Sequence, residues 1–290
     1  MILVVGGSGR LGRLVVDELT ARGVEVRVLA RHATSSVPSL AGRADLVDGD
    51  VRDQAAITAA ARGVSCIVVA SHGVESRERD GIASVDEAGR RAVAAAARAV
   101  GSSIAMVSMV GAGPDAALPL ARTKWAAERV VRESGAPWTI VRSAAFAQTW
   151  AMILTLSAGR TGRPGIIGPG LAVHPFVDVG DVAGVVARVA TDDSLRGRII
   201  QVRGPDELTL SQLAGLVQEA NSWAGAPRHL PIGFARATAP VLAIFRPDLA
   251  RRLTIGIAMN EPEPADDREA EVPTWVVTHP ITPKTLAVAR

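Results

Sequence analysis

Tyrosine is absent from this chain of 290 residues, and lysine nearly so: of 32 basic residues, only Lys124 and Lys284 are lysine. Without a phenol, one common general acid for protonating a substrate oxygen is excluded by composition. Cysteine occurs once, so the chain holds neither a disulfide framework nor a thiolate cage for a metal. That Cys66 stands in the apolar run Cys66-Ile67-Val68-Val69-Ala70 and reads as a small buried hydrophobe. His32, His229 and His279 do not cluster with it or with one another, and no metal site is expected. There is no run of five like charges. The net charge of +3 therefore marks solvated faces rather than a nucleic-acid patch. The apolar stretch at 144–158 is too short to span a bilayer and carries Gln148. Met1 opens directly on an apolar strand, and a soluble, cytoplasmic chain is expected.

What is present points to a folded α/β protein, with 48% apolar and 21% charged residues. The first strand runs straight into Gly6-Gly7-Ser8-Gly9-Arg10-Leu11-Gly12, followed by an amphipathic helix over 11–22 and a glycine stop at Gly23. Such a loop suits a dinucleotide. One glycine supplies backbone angles forbidden to a side chain, the next admits a pyrophosphate, and the helix dipole faces its charge. Further apolar strands are expected at 24–29, 44–51, 66–70, 104–108 and 138–141, with helices at 54–62, 85–100 and 120–133. The alternation predicts a doubly wound parallel sheet of the Rossmann kind. Past Arg142 it loosens, with a return segment at 176–179, a helix at 181–190 and a strand at 199–202. Helices follow at 210–220 and 232–245, then an acidic loop at 261–271. Residues 1–150 are expected to form the NADP-binding domain, with 177–203 returning to it. Residues 151–176 and 204–290 are expected to form a smaller C-terminal lobe on the substrate side.

The G-x-x-G-x-x-G spacing, with this strand order, resembles the short-chain dehydrogenase/reductase superfamily. Arg122-Thr123-Lys124-Trp125-Ala126-Ala127-Glu128 and the segment from Ser134 through Trp138 to Arg142 are similar to its atypical, NmrA-like branch. So is the return segment Phe176-Val177-Asp178-Val179-Gly180-Asp181. The resemblance covers about residues 1–203 well and the remainder poorly. It implies that Gly6, Ser8, Gly9, Arg10, Leu11 and Gly12 contact the cofactor, that Asp50 and Val51 meet the adenine, and that Ala70 and Ser71 lie beside the dinucleotide. It also places Ser108 at the position of an active-site serine. In most of the superfamily a tyrosine stands four residues before the lysine; here that residue is Leu120. Carbonyl reduction assisted by a phenol is therefore not available.

The remaining candidates carry alternatives. Lys124 fits a compact ammonium bonding the nicotinamide ribose, or a solvated helix lysine. Ser108 reads as a substrate or ribose contact, or as a serine at a strand end. His72, just past the fourth strand, reads as a proton source near the nicotinamide or as a turn residue with no role. His174 reads as a substrate-side or a core histidine. Arg31, where an acidic residue would bond a ribose diol, favours NADP(H) over NAD, unless it is simply one more surface arginine. Asp178 and Asp181 take structural readings, with Asp181 as an N-cap. Phe146, Trp150, Met152, Phe234 and Phe245 fall where the resemblance puts the substrate cleft, or else in the core.

The function expected is an NADPH-dependent oxidoreductase delivering hydride to a quinone-like or conjugated carbonyl substrate. The alternative is a non-catalytic NADP(H)-sensing regulator of the NmrA-like kind. A small apolar or aromatic substrate is expected, with no nucleic-acid or membrane partner and a homodimer left open.

Overall fold

The computed structural model describes residues 1–36, 38–71, 89–261 and 272–286. Its strands are β1 (Ile2–Val5), β2 (Val26–Ala30), β3 (Asp45–Asp48), β4 (Cys66–Val69), β5 (Ser103–Met109), β6 (Trp138–Ser143), β7 (Gly165–Ile167), β8 (Val173–His174), β9 (Arg198–Arg203), β10 (Leu208–Thr209), β11 (Arg228–Leu230) and β12 (Thr274–Val276). The principal helices are α1 (Arg10–Ala21), α2 (Gln54–Ala60), α3 (Gly89–Val100), α4 (Pro119–Arg132), α5 (Ala147–Ala158), α6 (Val179–Thr191), α7 (Leu210–Ala220), α8 (Ile232–Phe245) and α9 (Pro247–Ala258).

Eight strands form one parallel sheet in the order β3-β2-β1-β4-β5-β6-β9-β12. This is a doubly wound Rossmann arrangement. Every residue of β1 and β4 is buried, as strands covered on both faces must be. Successive side chains divide between two cores because strand side chains alternate faces. Ile2, Val4, Val28, Cys66 and Val68 pack on one face with α1 and α6. Leu3, Val5, Leu29, Ile67 and Val69 pack on the other with α2, α3 and α4. Burial pushes the Cys66 thiol pKa up, in keeping with a core residue. Helix α1 ends as its sequence predicts: Gly23 takes φ +73°, and the amides of Gly23 and Val24 bond the carbonyls of Thr20 and Leu19.

A third core joins α5 and α7 through Trp150, Leu154, Phe176, Leu213 and Val217, outside the two faces of the main sheet. Two expectations for this half need correction. Residues 274–276 do not stay with a separate lobe. They pair in parallel with β9 and add the eighth strand to the sheet. The N-cap of α6 is Asp178, not Asp181. The Oδ1 atom of Asp178 accepts from the Gly180 amide at 2.7 Å, while Oδ2 takes the Gln148 amide nitrogen at 2.5 Å. Gln148 returns the bond by accepting from the Val179 amide at 3.0 Å. The helix start is thereby tied to α5, whereas Asp181 falls in the first turn.

Asp181 instead receives His279 Nδ1 from the C-terminal segment, and this carboxylate raises the pKa of His279. A group whose pKa rises on folding stabilises most fully below its unfolded value and loses that effect as pH rises through the folded one. Replacing His279 with Gln should therefore lower the melting temperature at about pH 5.5 and leave it near wild type at about pH 9. A pH-independent difference would contradict the pairing.

Candidate cofactor cleft and active site

The order of the strands reverses between β1 and β4, and the carboxyl ends of strands at such a point open a crevice. The glycine loop fills its floor. Gly6 leaves β1 with φ +90°, and a Cβ there would lie 2.7 Å from the Ser71 nitrogen. A Cβ on Gly12 would come within 2.2 Å of the Gly6 carbonyl oxygen. Both obstacles are backbone, which cannot move aside. The loop can therefore lie flat between the exit of β4 and the start of α1 only with hydrogen at both positions.

Gly9 has a different role. It caps α1 in an extended conformation with no side-chain hydrogen bond, and the first turn of α1 holds no acid. The first amides of the helix and its positive dipole end are thus presented to a ligand anion, which suits the linked phosphates of a dinucleotide. Arg10 is exposed at this end, and Arg13 Nε bonds the Ser8 carbonyl at 3.1 Å to hold the loop. Leu11 is buried beneath it.

Arg31 stands exposed after β2, beside His32 at φ +54°. Beyond β3, hydrogen bonds from Arg52 hold the Asp50 carboxyl below the usual range, with the charge of Arg31 adding to the effect. Arg31 and Asp50 thus lie within electrostatic reach at one end of the crevice. Val51 rests against Gly89 at the start of α3, where an added Cβ would sit 3.2 Å from its Cγ2.

Ala70 and Ser71 form the opposite wall, with the Ala70 amide bonding the Val5 carbonyl at 3.0 Å. Ser71 is gripped by a residue that the sequence reading passed over. Arg90, fully buried on α3, donates to the Ser71 hydroxyl at 3.1 Å and to its carbonyl at 2.5 Å. One signal was available, because Arg90 shares a helical face with Ala94 and Ala97, both buried, whereas Arg91 is exposed. His72 lies outside the described residues.

Deeper in the crevice, Ser108 near the end of β5 is buried, and its Oγ has no hydrogen-bond partner among the described residues. It pairs in register with Arg142 of β6, whose guanidinium grips Glu128 of α4 at 2.9 and 2.7 Å. The ion pair is almost wholly excluded from solvent. Lys124, one turn before Glu128, is only 7% exposed, so the solvated-lysine reading does not hold. One turn earlier again, Leu120 borders a cavity of about 670 Å³ walled by Leu118, Pro119 and the facing sides of α8 and α9.

The aromatic and apolar residues expected at the cleft do not line this cavity. Trp150 is in the third core, Phe146 packs against the sheet core, and Met152 is half-buried on α5. Phe234 and Phe245 are 59% and 76% exposed, on the side of α8 opposite Ala239 and Ala243, which do face the cavity. His174 is a satisfied core residue, with Nε2 3.1 Å from the Met259 carbonyl and its ring edge against Phe176. Among the described residues, no three His, Cys, Asp or Glu side chains gather to hold a metal, and no helix is long and apolar enough to cross a membrane.

Over residues 6–193 the chain matches the family described as NAD(P)H-binding. It is 32% identical over 258 residues to (4-alkanoyl-5-oxo-2,5-dihydrofuran-3-yl)methyl phosphate reductase of Streptomyces griseus, covering 86% of this chain and 83% of that protein. NAD(P)H azoreductase of Xenophilus azovorans is 27% identical over 263 residues, covering 90% and 85%. The NADPH-dependent quinone oxidoreductase of Escherichia coli, solved with NADPH, shares the fold. Its TM-score is 0.70 at 22% identity, over 93% of this chain and 99% of that one.

Replacing Arg90 with Met leaves the Ser71 carbonyl and hydroxyl without their donor. It should cost about 2 kcal/mol in denaturant unfolding, against less than about 0.5 kcal/mol for Arg91→Met on the exposed side of the same helix. Equal losses would remove Arg90 from the crevice wall.

Proposed function

The chain belongs to the NAD(P)H-binding family, and from that premise we propose that it is an NADPH-dependent oxidoreductase acting on quinone-like or conjugated carbonyl acceptors without a catalytic tyrosine. One observation carries this reading: Leu120, in the tyrosine position, borders an apolar cavity one turn ahead of the buried Lys124. A saturated ketone receiving hydride becomes a strongly basic alkoxide and needs a positioned acid. A quinone becomes a stabilised hydroquinone anion, which water or a weak acid can protonate. The site suits the second kind of acceptor. The names of the relatives agree, since one reduces an oxo-dihydrofuran bearing an alkanoyl arm and another structure of this fold is a quinone oxidoreductase.

Bound nicotinamide supplies the hydride. In this reading the amides of Arg10, Leu11 and Gly12 hold the pyrophosphate, while Gly9, whose own amide bonds the Gly6 carbonyl at 3.1 Å, and Ser8 line the same loop. Arg31, together with Arg10 of the glycine loop, takes the 2′-phosphate through the planar guanidinium fork. Asp50 and Val51 flank the adenine, while Ala70 and Ser71 shape the wall on the nicotinamide side. Lys124 orients the ribose, held in place by a helix that the Glu128–Arg142 pair anchors. Ser108, whose buried hydroxyl has no other partner among the described residues, or His72 relays a proton from water. The protein's contribution is chiefly positioning and an apolar enclosure.

Steady-state oxidation of NADPH should proceed with naphthoquinones and conjugated enones and be negligible with saturated ketones. No turnover with any acceptor, alongside nucleotide binding, would support a sensing regulator instead. Arg31→Asp should weaken NADPH binding at least about tenfold more than NADH binding, a difference of about 1.4 kcal/mol. Equal weakening would take Arg31 out of cofactor selection.

A further inference from the structure

The cavity beside Leu120 is long as well as large. Its volume of about 670 Å³ falls in the range of sites that enclose drug-sized ligands. One wall follows α8 from Arg236 to Ile244, about 12 Å of helix axis, and another follows α9 from Pro247 to Ile257. Apart from Arg236, Arg251 and Thr254, the described residues of the lining are leucine, isoleucine, alanine and proline, and none is aromatic. Its prolines add apolar surface without adding an N–H donor. The space itself comes from small side chains. Ala239 and Ala243 lie one turn apart on the inner side of α8, and Ala250 lines the cavity from α9. This surface is also left open. Ala235 is the one buried residue of α8, and Ala243 and Ile244 remain exposed although they line the cavity. Apolar surface exposed along a concave site marks a place where a ligand is covered.

We propose that this cavity holds an aliphatic chain carried by the acceptor. The carbonyl ring stands at Leu120, one turn from Lys124, and the chain runs from there between α8 and α9. Contact with aliphatic walls is non-directional and grows with the apolar area covered. Such a lining therefore selects for the length of a chain rather than for a pattern of polar groups. Ala239 and Ala243 determine how much chain the cavity admits, because a branched side chain at either position occupies the same space. The proposal deepens the reductase reading by giving the acceptor a tail, and rests on that reading only in treating the bearer of the chain as the acceptor.

Two neutral dyes that share a ring system test it without turnover: prodan and its hexanoyl homologue, which is three methylenes longer. A buried methylene is worth about fourfold in affinity, so fluorescence titration of wild type should show the homologue binding at least about tenfold more tightly. Ala239→Leu and Ala243→Leu should each reduce that ratio, and together bring it to about one, with melting temperatures near wild type reporting that the variants fold. Ala237→Leu adds the same apolar bulk to the exposed side of α8 that carries Phe234 and Val241, and should leave the ratio unchanged. Partition onto any apolar surface would instead strengthen with each added leucine. Three results would overturn the proposal: no preference for the longer dye in wild type, a preference surviving the double substitution, or an equal loss in Ala237→Leu. The chain preference without NADPH oxidation by any quinone would refute the reductase reading while leaving the chain site standing. Quinone turnover without a chain preference would do the reverse.

Discussion

The crevice depends on a contact between backbones. The Gly6 carbonyl lies where the first carbon of any side chain at Gly12 would have to be, and the Ser71 backbone does the same for Gly6. Strand β1, helix α1 and the exit of β4 therefore meet with nothing larger than hydrogen between them. This close approach aims the uncapped amino end of α1 across the top of the sheet, and it sets how far from the floor a bound phosphate can sit. Arg90 fixes the same junction from beneath by holding Ser71 through both its hydroxyl and its carbonyl.

The end of the crevice around Ser108 is held by a buried ion pair. Glu128 and Arg142 are buried together, and removing one partner of such a pair typically costs about 3–5 kcal/mol. The pair joins α4 to the end of β6, beside Ser108 in the next strand. Lys124 and Leu120 follow at one-turn intervals toward the amino end of α4, so a single anchored helix carries the ammonium and one wall of the cavity. Leucine in place of a phenol makes this wall apolar, and in the proposed reading it favours acceptors that need little acid.

Much of the first half was readable because its physics is local. Strands buried on both faces appear as short apolar runs, and the glycine loop follows the first of them directly; in the second half, the helices expected at 210–220 and 232–245 are α7 and α8. Other features escaped because non-local contacts decide them. The three residues of β12 have exposed ends and follow an acidic stretch, so no apolar run announces them. Two aspartates three residues apart both fit an N-cap, and the contact with Gln148 selects Asp178. The sequence points to Phe146, Trp150, Met152, Phe234 and Phe245 for the cleft wall, and none of them lines the cavity. Residue type does not give the phase of a helix, and α8 turns its phenylalanines outward while Ala239, Ala243 and Arg236 face the cavity. Arg90 was hidden by composition, as one arginine among thirty.

Titration calorimetry with NADPH tests the central claim most directly, since every assigned role presupposes a dinucleotide seated on the amides that open α1. Saturable heat is expected at micromolar coenzyme, accompanied by a rise in melting temperature. Absence of both at millimolar NADPH and NADH would contradict the account.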